Sequence, residues 1–206
     1  MTTLLQLTTS LFSTDGQSSR LAQEFVDEWR AAHPGACVIV RDLARTPVPH
    51  LDAERFGAFL AQPESRTLHQ QAVIGFSDEL INELRRADVI VLGLPMYNFG
   101  VPSQLKAWFD HVARAGITFK YTAQGAVGLL TGKRVYVLAT RGGKYAGTGA
   151  DHETPFVRQF FGFLGITDVE FIYAEGLAMG EAPKRDGLAA ARRIIQGLFD
   201  ELRIAA

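Results

Sequence analysis

The sequence predicts an α/β fold: a five-stranded parallel sheet with helices on both faces. Short runs rich in Val, Ile and Leu alternate with longer amphipathic stretches along the whole chain, which is the pattern of βαβ units. These short runs show little period-two alternation, as expected of strands covered on both sides. With 206 residues, 47% hydrophobic and 21% charged, there is apolar side chain enough for one core, so residues 1–206 are expected to form one domain.

Strands are expected over residues 3–9, 37–41, 88–94, 134–140 and 169–174, and helices over 18–32, 68–86, 102–114, 154–164 and 185–203. Ser18 stands ahead of the first helix as a cap, and Pro102 opens the third, where a missing N–H does no harm. Five strands with five crossover helices fit the flavodoxin-like order 2-1-3-4-5. In such sheets ligands bind at the carboxyl ends of the strands, beside the switch point between the first and third. The loops to inspect therefore begin at Ser10, Pro95 and Arg141. Residues 46–50 (TPVPH) read as a surface connection. The irregular stretch 116–132, with Phe119, Tyr121 and several glycines, is expected to rise over the same end of the sheet.

Several function classes drop out. Lys and Arg total 21 against 22 Asp and Glu, a net charge of -1, so nothing resembles a polycationic nucleic-acid surface. The first seven residues lack a basic leader region and no apolar run reaches membrane-span length, so a cytoplasmic protein without membrane association is expected. Cys37, the only cysteine, sits in the run ACVIV and reads as a core residue. His33, His50, His69, His111 and His152 show no metal-ligand spacing, and no metal is expected. There is no Gly-x-Ser-x-Gly elbow and no motif pairing two carboxylates, which leaves hydrolysis without a candidate nucleophile or acid. Trp29 and Trp108 fall at helical positions and read as core or interface.

The first loop, residues 9–20 (TSLFSTDGQSSR), is dense in hydroxyls and ends at a helix start. A phosphate there could accept bonds from unpaired N–H groups, hydroxyls and the Gln17 amide, and a plain Ser-capped turn is the alternative. The spacing matches neither a Walker loop nor a dinucleotide fingerprint. The second loop, residues 94–102 (LPMYNFGVP), brings two aromatics and an amide to the switch point, where they could lie along a flat ring. In the third, Thr140-Arg141-Gly142-Gly143-Lys144-Tyr145, consecutive glycines permit close backbone approach, and Arg141 and Lys144 could add positive field for an electron-rich ring edge. A glycine-rich turn with solvated charges is the alternative. Hydride transfer suits a chain without evident acid, base or nucleophile, because a flavin carries the chemistry itself.

These residues bring a family into view. The runs Val40-Arg41-Asp42-Leu43, Leu94-Pro95-Met96-Tyr97-Asn98-Phe99, residues 113–121 (ARAGITFKY), Gly132-Lys133, Arg141-Gly142-Gly143 and residues 161–166 (FGFLGI) make the chain similar to the FMN-dependent NADH-azoreductases, NAD(P)H quinone oxidoreductases of flavodoxin-like fold. The resemblance implies non-covalent FMN, NADH or NADPH as hydride donor, and quinones and azo compounds as acceptors. It also implies a homodimer with each active site at the interface. Carried over by position, Ser10, Gly16, Gln17 and Ser18 would hold the phosphate and ribityl chain. Met96, Tyr97, Asn98 and Phe99 with Thr140, Arg141, Gly142 and Gly143 would hold the ring. Phe119, Tyr121, Tyr145 and Phe163 would line the substrate pocket. The chain departs from its relatives at Gly16, where Ser is common, at Thr140, which replaces a frequent Ser, and at Tyr145, where some carry His. A flavodoxin-like electron carrier is the main alternative, and a flavin-free regulatory or hydrolytic member of the fold class is the third reading. The near-neutral charge and the aromatic stretch after Gly116 favour an enzyme.

Overall fold

The computed structural model describes the backbone of residues 2–204 and the side chains of residues 2–200. Five parallel strands, β1 (Thr3–Thr8), β2 (Cys37–Asp42), β3 (Val89–Pro95), β6 (Arg134–Thr140) and β7 (Asp168–Ala174), form one sheet in the order β2-β1-β3-β6-β7. With the separate two-stranded hairpin of β4 (Phe119–Thr122) and β5 (Gly125–Gly128) set aside, this is the expected order 2-1-3-4-5.

Strand parity divides the core in two. Leu5 and Leu7 of β1, Ile90, Leu92 and Leu94 of β3, and Val135, Val137 and Ala139 of β6 face α3 (Leu68–Arg86), α4 (Ser103–Val112) and α5 (Glu153–Leu164). Leu4, Val91, Leu138, Ile172 and Ala174 face the other way, under α1 (Gln17–Ala32) and α6 (Glu181–Ile204). On α1 the buried residues Leu21, Ala22, Phe25, Val26 and Trp29 recur at helical spacing, so one stripe meets the sheet. On α3 the start is set by a capping box between Thr67 and Gln70, and α5 ends at Gly165, whose φ of 97° lies in the left-handed region.

Several details differ from the sequence reading. Helix α1 begins at Gln17 with Gly16 as its N-cap, so Ser18 lies inside the first turn and does not cap it. An eight-residue helix, α2 (Ala53–Leu60), capped by Asp52, follows the TPVPH connection and was not expected. It buries only Ala58, too little for a periodic signal. Cys37 is half-buried, because β2 is the edge strand and every residue in it keeps some exposure.

The larger correction concerns residues 116–132. They are not irregular, and they do not rise over the ligand end. The segment leaves the carboxyl terminus of α4 and enters the amino end of β6. It is tied to other chain ends at that level: Leu130 N–H donates to Leu164 O at 2.9 Å, Arg85 Nη2 to Ile117 O at 2.8 Å, and Lys133 Nζ to Ala87 O at 2.5 Å. The hairpin therefore sits at the opposite end of the sheet from the three loops, because crossover helices run antiparallel to the strands they join. At its contact with α5 the two backbones touch. A Cβ on Gly128 would lie 2.0 Å from Gly165 N and 2.1 Å from Leu164 C. Replacing Gly128 by Ala is expected to force these segments apart and to destabilise the fold by about 1–3 kcal/mol, read in urea denaturation as a lower midpoint with unchanged slope.

Candidate active site

The sheet register brings the three loops to one level. Thr9 Oγ1 donates to Gly93 O at 2.7 Å, tying β1 to β3, and Met96 N–H donates to Thr140 O at 3.0 Å, tying β3 to β6.

The first loop is built around a missing side chain. A Cβ on Gly16 would lie 2.1 Å from Ser10 Oγ, so the buried Ser10 hydroxyl occupies the space that any side chain at position 16 would need. Ser10 Oγ accepts from Phe12 N–H at 3.2 Å, and a 3-10 turn over Ser13–Asp15 leads into α1. Gly16 offers no capping side chain, and the first helical bond is Arg20 N–H to Gly16 O. Among the described residues the N–H groups of Gln17, Ser18 and Ser19 are thus left without partners, as at any uncapped helix start. Ser18 Oγ and Ser19 Oγ are also buried without a hydrogen-bond partner. Orphaned donors at the positive end of a 16-residue helix form a site that an anion would complete.

In the second loop Tyr97 and Gly100 exchange backbone bonds of 3.1 Å around Asn98 (φ 51°) and Phe99 (φ 65°). Positive φ at both central residues is the conformation of a type I′ turn, and it is costly for Phe. The turn holds the Phe99 ring out, 54% exposed, with its edge against Tyr145 of the third loop at 5.7 Å between centroids. Tyr97 reaches the other way, its hydroxyl accepting from Leu11 N–H at 3.2 Å. One loop thereby touches both others.

The third loop is clamped from below. The carbonyls of Arg141, Gly142 and Gly143 accept from Leu177, Ala178 and Gly176 N–H at 3.1, 2.9 and 2.9 Å. Glu175 Oε1 accepts from Tyr145 and Ala146 N–H at 2.7 and 2.8 Å. Among the described residues the Gly142 and Gly143 N–H groups donate to nothing, so the turn presents two free donors at the strand ends. Tyr145 folds over Gly143, where a Cβ would meet its ring at 2.7 Å.

Arg141 does not extend towards a ligand. Its side chain is fully buried, donating to Asp151 Oδ1 at 2.8 Å and Thr154 Oγ1 at 2.9 Å, with Glu175 and Glu153 at 3.5 and 3.7 Å and the Tyr173 ring beneath. The guanidinium is drawn inward by Asp151 and Glu175, with the Glu153 carboxyl group beside it, so Arg141 brings only its main chain to the loop surface; Lys144 remains exposed. Burial works to raise the Asp151 carboxyl, but bonds from Arg141 and Thr154 outweigh it and hold the group below the usual range. Burial pushes the Glu153 carboxyl up to about 8, with Arg141 opposing and Asp151 reinforcing the rise. Sequence reasoning missed Asp151, Glu153 and Glu175, which share no motif; their signal was position alone, each next to a strand end or helix start on the loop side.

The other expected pocket residues lie elsewhere. Phe119 is buried in the hairpin, packed on Phe163 at 4.3 Å, and Tyr121 stands against Phe119 at 5.4 Å while remaining exposed. Phe119, Tyr121 and Phe163 all lie at the far end of the sheet from the three loops. Of the four substrate-pocket residues expected, only Tyr145 joins the three loops.

Known proteins match this architecture closely. A family model described as flavodoxin-like fold matches residues 2–198. An FMN-dependent NADH:quinone oxidoreductase of Alcanivorax borkumensis is 57% identical over 92% of this chain and 96% of its own length. One of the same description from Cellvibrio japonicus is 53% identical over 95% and 98%. Among solved structures, an FMN-dependent NADH-azoreductase from Bacillus anthracis in complex with FMN superposes with a TM-score of 0.89 at 26% identity, covering 98% of this chain and 99% of that one. Three loops gathered at a parallel sheet's switch point, and kinship over almost the full length of both partners, establish that the chain belongs to the FMN-dependent NADH:quinone oxidoreductase family of flavodoxin-like fold.

Proposed function

We propose that residues 1–206 serve as one FMN-binding domain that passes hydride from NADH or NADPH to quinones and aromatic azo compounds. The observation that carries the site assignment is the buried, unpartnered Ser18 hydroxyl beside the free N–H groups of the α1 start, which suits a phosphate. In this reading Ser10, Gly16, Gln17 and Ser18 take the phosphate and ribityl end. Residues Met96 to Phe99 flank the ring, and the free Gly142 and Gly143 N–H groups face its electron-rich edge, with Thr140 and the Arg141 main chain behind them. Bound there, FMN would supply hydride acceptance from the nicotinamide and two-electron delivery to the acceptor. The chain supplies what the cofactor lacks: a positive helix end for the phosphate, preorganised N–H donors where negative charge develops, and apolar walls in Phe99 and Tyr145 that exclude water.

The hairpin gives the reading its quaternary side. Tyr121, Val127 and Leu129 are exposed apolar side chains at the end opposite the loops, more than a solvent-facing hairpin needs. A two-fold axis across the strand direction sets the hairpin end of one copy beside the loop end of the other. The reading is therefore a homodimer in which Phe119, Tyr121 and Phe163 serve the partner's site. Among the described residues no helix is long and apolar enough to cross a membrane, and a cytoplasmic setting, where reduced nicotinamide is supplied, is part of the proposal.

Three outcomes are expected. Replacing Gln17 and Ser18 together by Ala should weaken FMN binding at least about tenfold, since charge-assisted hydrogen bonds contribute about 1.5–3 kcal/mol each. Thermal stability without FMN should not fall, because Ser18 Oγ has no partner to lose; unchanged FMN affinity in a titration followed by flavin fluorescence would refute the assignment. Donor and acceptor should occupy one ring face in turn, since the chain lacks a fingerprint for holding a dinucleotide elsewhere. Steady-state kinetics should then give parallel double-reciprocal lines, with one NADH per quinone and two per fully cleaved azo bond, whereas intersecting lines would overturn the scheme. Sedimentation at assay concentrations should show a dimer, and a fully active monomer would exclude the shared site.

A further inference from the structure

The cluster beneath the glycine turn is unbalanced. One guanidinium, that of Arg141, faces three carboxylates: Asp151 from the turn before α5, Glu153 from the first residue of α5, and Glu175 just beyond β7. The side chains of Arg141 and Glu153 are fully buried, and that of Asp151 nearly so. Hydrogen bonds are unequally shared. Asp151 takes Arg141 Nη2 and the Thr154 N–H and hydroxyl; Glu175 takes the Tyr145 and Ala146 N–H groups. Both oxygens of Glu153 have no hydrogen-bond partner, nor do Arg141 Nε and Nη1. The nearest approach between them, Nε to Oε2 at 3.7 Å, is too long for a hydrogen bond.

An ionised carboxylate with no hydrogen bond in the chain, in a buried site that already holds two others, is costly to maintain, and such a group keeps its proton instead. The N-terminal dipole of α5 favours the anion, but a helix end offsets only a fraction of the cost of taking a carboxylate out of water. The elevation of Glu153 to about 8 agrees with this geometry. The charged groups facing it are Arg141, Asp151 and, behind Arg141, Glu175; the neutral Tyr173 hydroxyl bonds Thr154 Oγ1 at 3.0 Å at the edge of the cluster.

We propose that Glu153 is a positioning residue that must carry a proton for the FMN-facing turn to hold its shape: uncharged, it leaves Arg141 shared between Asp151 and Glu175, and Glu175 fixes Tyr145 and Ala146 and with them Gly142 and Gly143. Loss of the proton adds a third full negative charge around the guanidinium, on the side of Arg141 Nε. The guanidinium is then pulled towards α5 and away from Glu175 Oε1, the one oxygen that accepts both turn N–H groups. The two free donors of the turn move with it. The proposal rests on the assignment of this turn to FMN.

FMN affinity measured by flavin fluorescence on dilution of the holoprotein, at a series of pH values from 6 to 9.5, tests it. In the wild type, affinity is level at the acid end and falls through an inflection near pH 8, approaching about tenfold per pH unit where only the protonated form is competent. In Glu153→Gln, fixed in the uncharged form, the inflection disappears. The same inflection in Glu153→Gln, or a level wild-type profile, overturns the proposal. Infrared spectra of the wild type decide it independently if that variant does not fold: a buried carboxylic-acid carbonyl band present at pH 7 and lost on titration through pH 8 supports it, and no such band at pH 7 refutes it. Absence of FMN binding at every pH would remove the loop assignment and the proposal together.

Discussion

The bonds that fix the end of β3 between its neighbours govern everything above the sheet. Thr9 Oγ1 to Gly93 O and Met96 N–H to Thr140 O set the ends of β1, β3 and β6 at one height. The register continues this alignment, with Thr8 opposite Gly93 and Pro95 opposite Thr140. Because parallel strands require crossovers, all three carboxyl-end loops emerge on the same side, and two short contacts join them: Tyr97 to Leu11 and Phe99 to Tyr145. A shift of one residue in β3 would exchange its two core faces and separate both contacts.

Position along the sheet also fixes the electrostatics. Gly93 lets α1 come so close that a Cβ there would lie 3.0 Å from Ser18 O, so the helix starts directly over the switch point. Its uncapped first turn carries no acidic residue, so the positive end of its dipole faces the loops. Across the switch point the Arg141 cluster holds more carboxylate than guanidinium, but beneath the turn, with Glu175 oxygens directed at main-chain N–H groups. Donors thus converge upward at both ends of the candidate site, from a helix start on one side and from a turn whose carbonyls are tied down on the other.

The sheet and most helices were legible because their signals are local and strong. Residues 134–140 and 68–86 were bounded as observed, one by an unbroken run of apolar β-formers and the other by a clear helical stripe. The hairpin was legible only as an aromatic, glycine-rich stretch, since its strands pack against the end of α5, a contact that no local pattern reveals. Its placement was misjudged for a topological reason: a segment between a descending helix and a rising strand must lie at the amino end of the sheet. The hydroxyls and the helix start that make residues 10–18 a candidate anion site were legible, although the space that Ser10 takes over Gly16 was not.

Arg141 shows how much a simple parity rule can add to motif reasoning. Beside two glycines at a strand end, an arginine reads as a ligand-facing charge. Yet Val135, Val137 and Ala139 of β6 all face α5, while Tyr136 and Leu138 face α1 and α6. Residue 141 continues the odd series, so its side chain is committed to the α5 side before any ligand is considered. An arginine sent into that layer needs carboxylates there, and the segment that returns beneath it begins Asp151-His152-Glu153. One acid partners the guanidinium directly; the second has no hydrogen bond and sits where a proton costs less than a charge. Parity thus places the arginine inside the fold, and its charge then accounts for acids that no motif had joined.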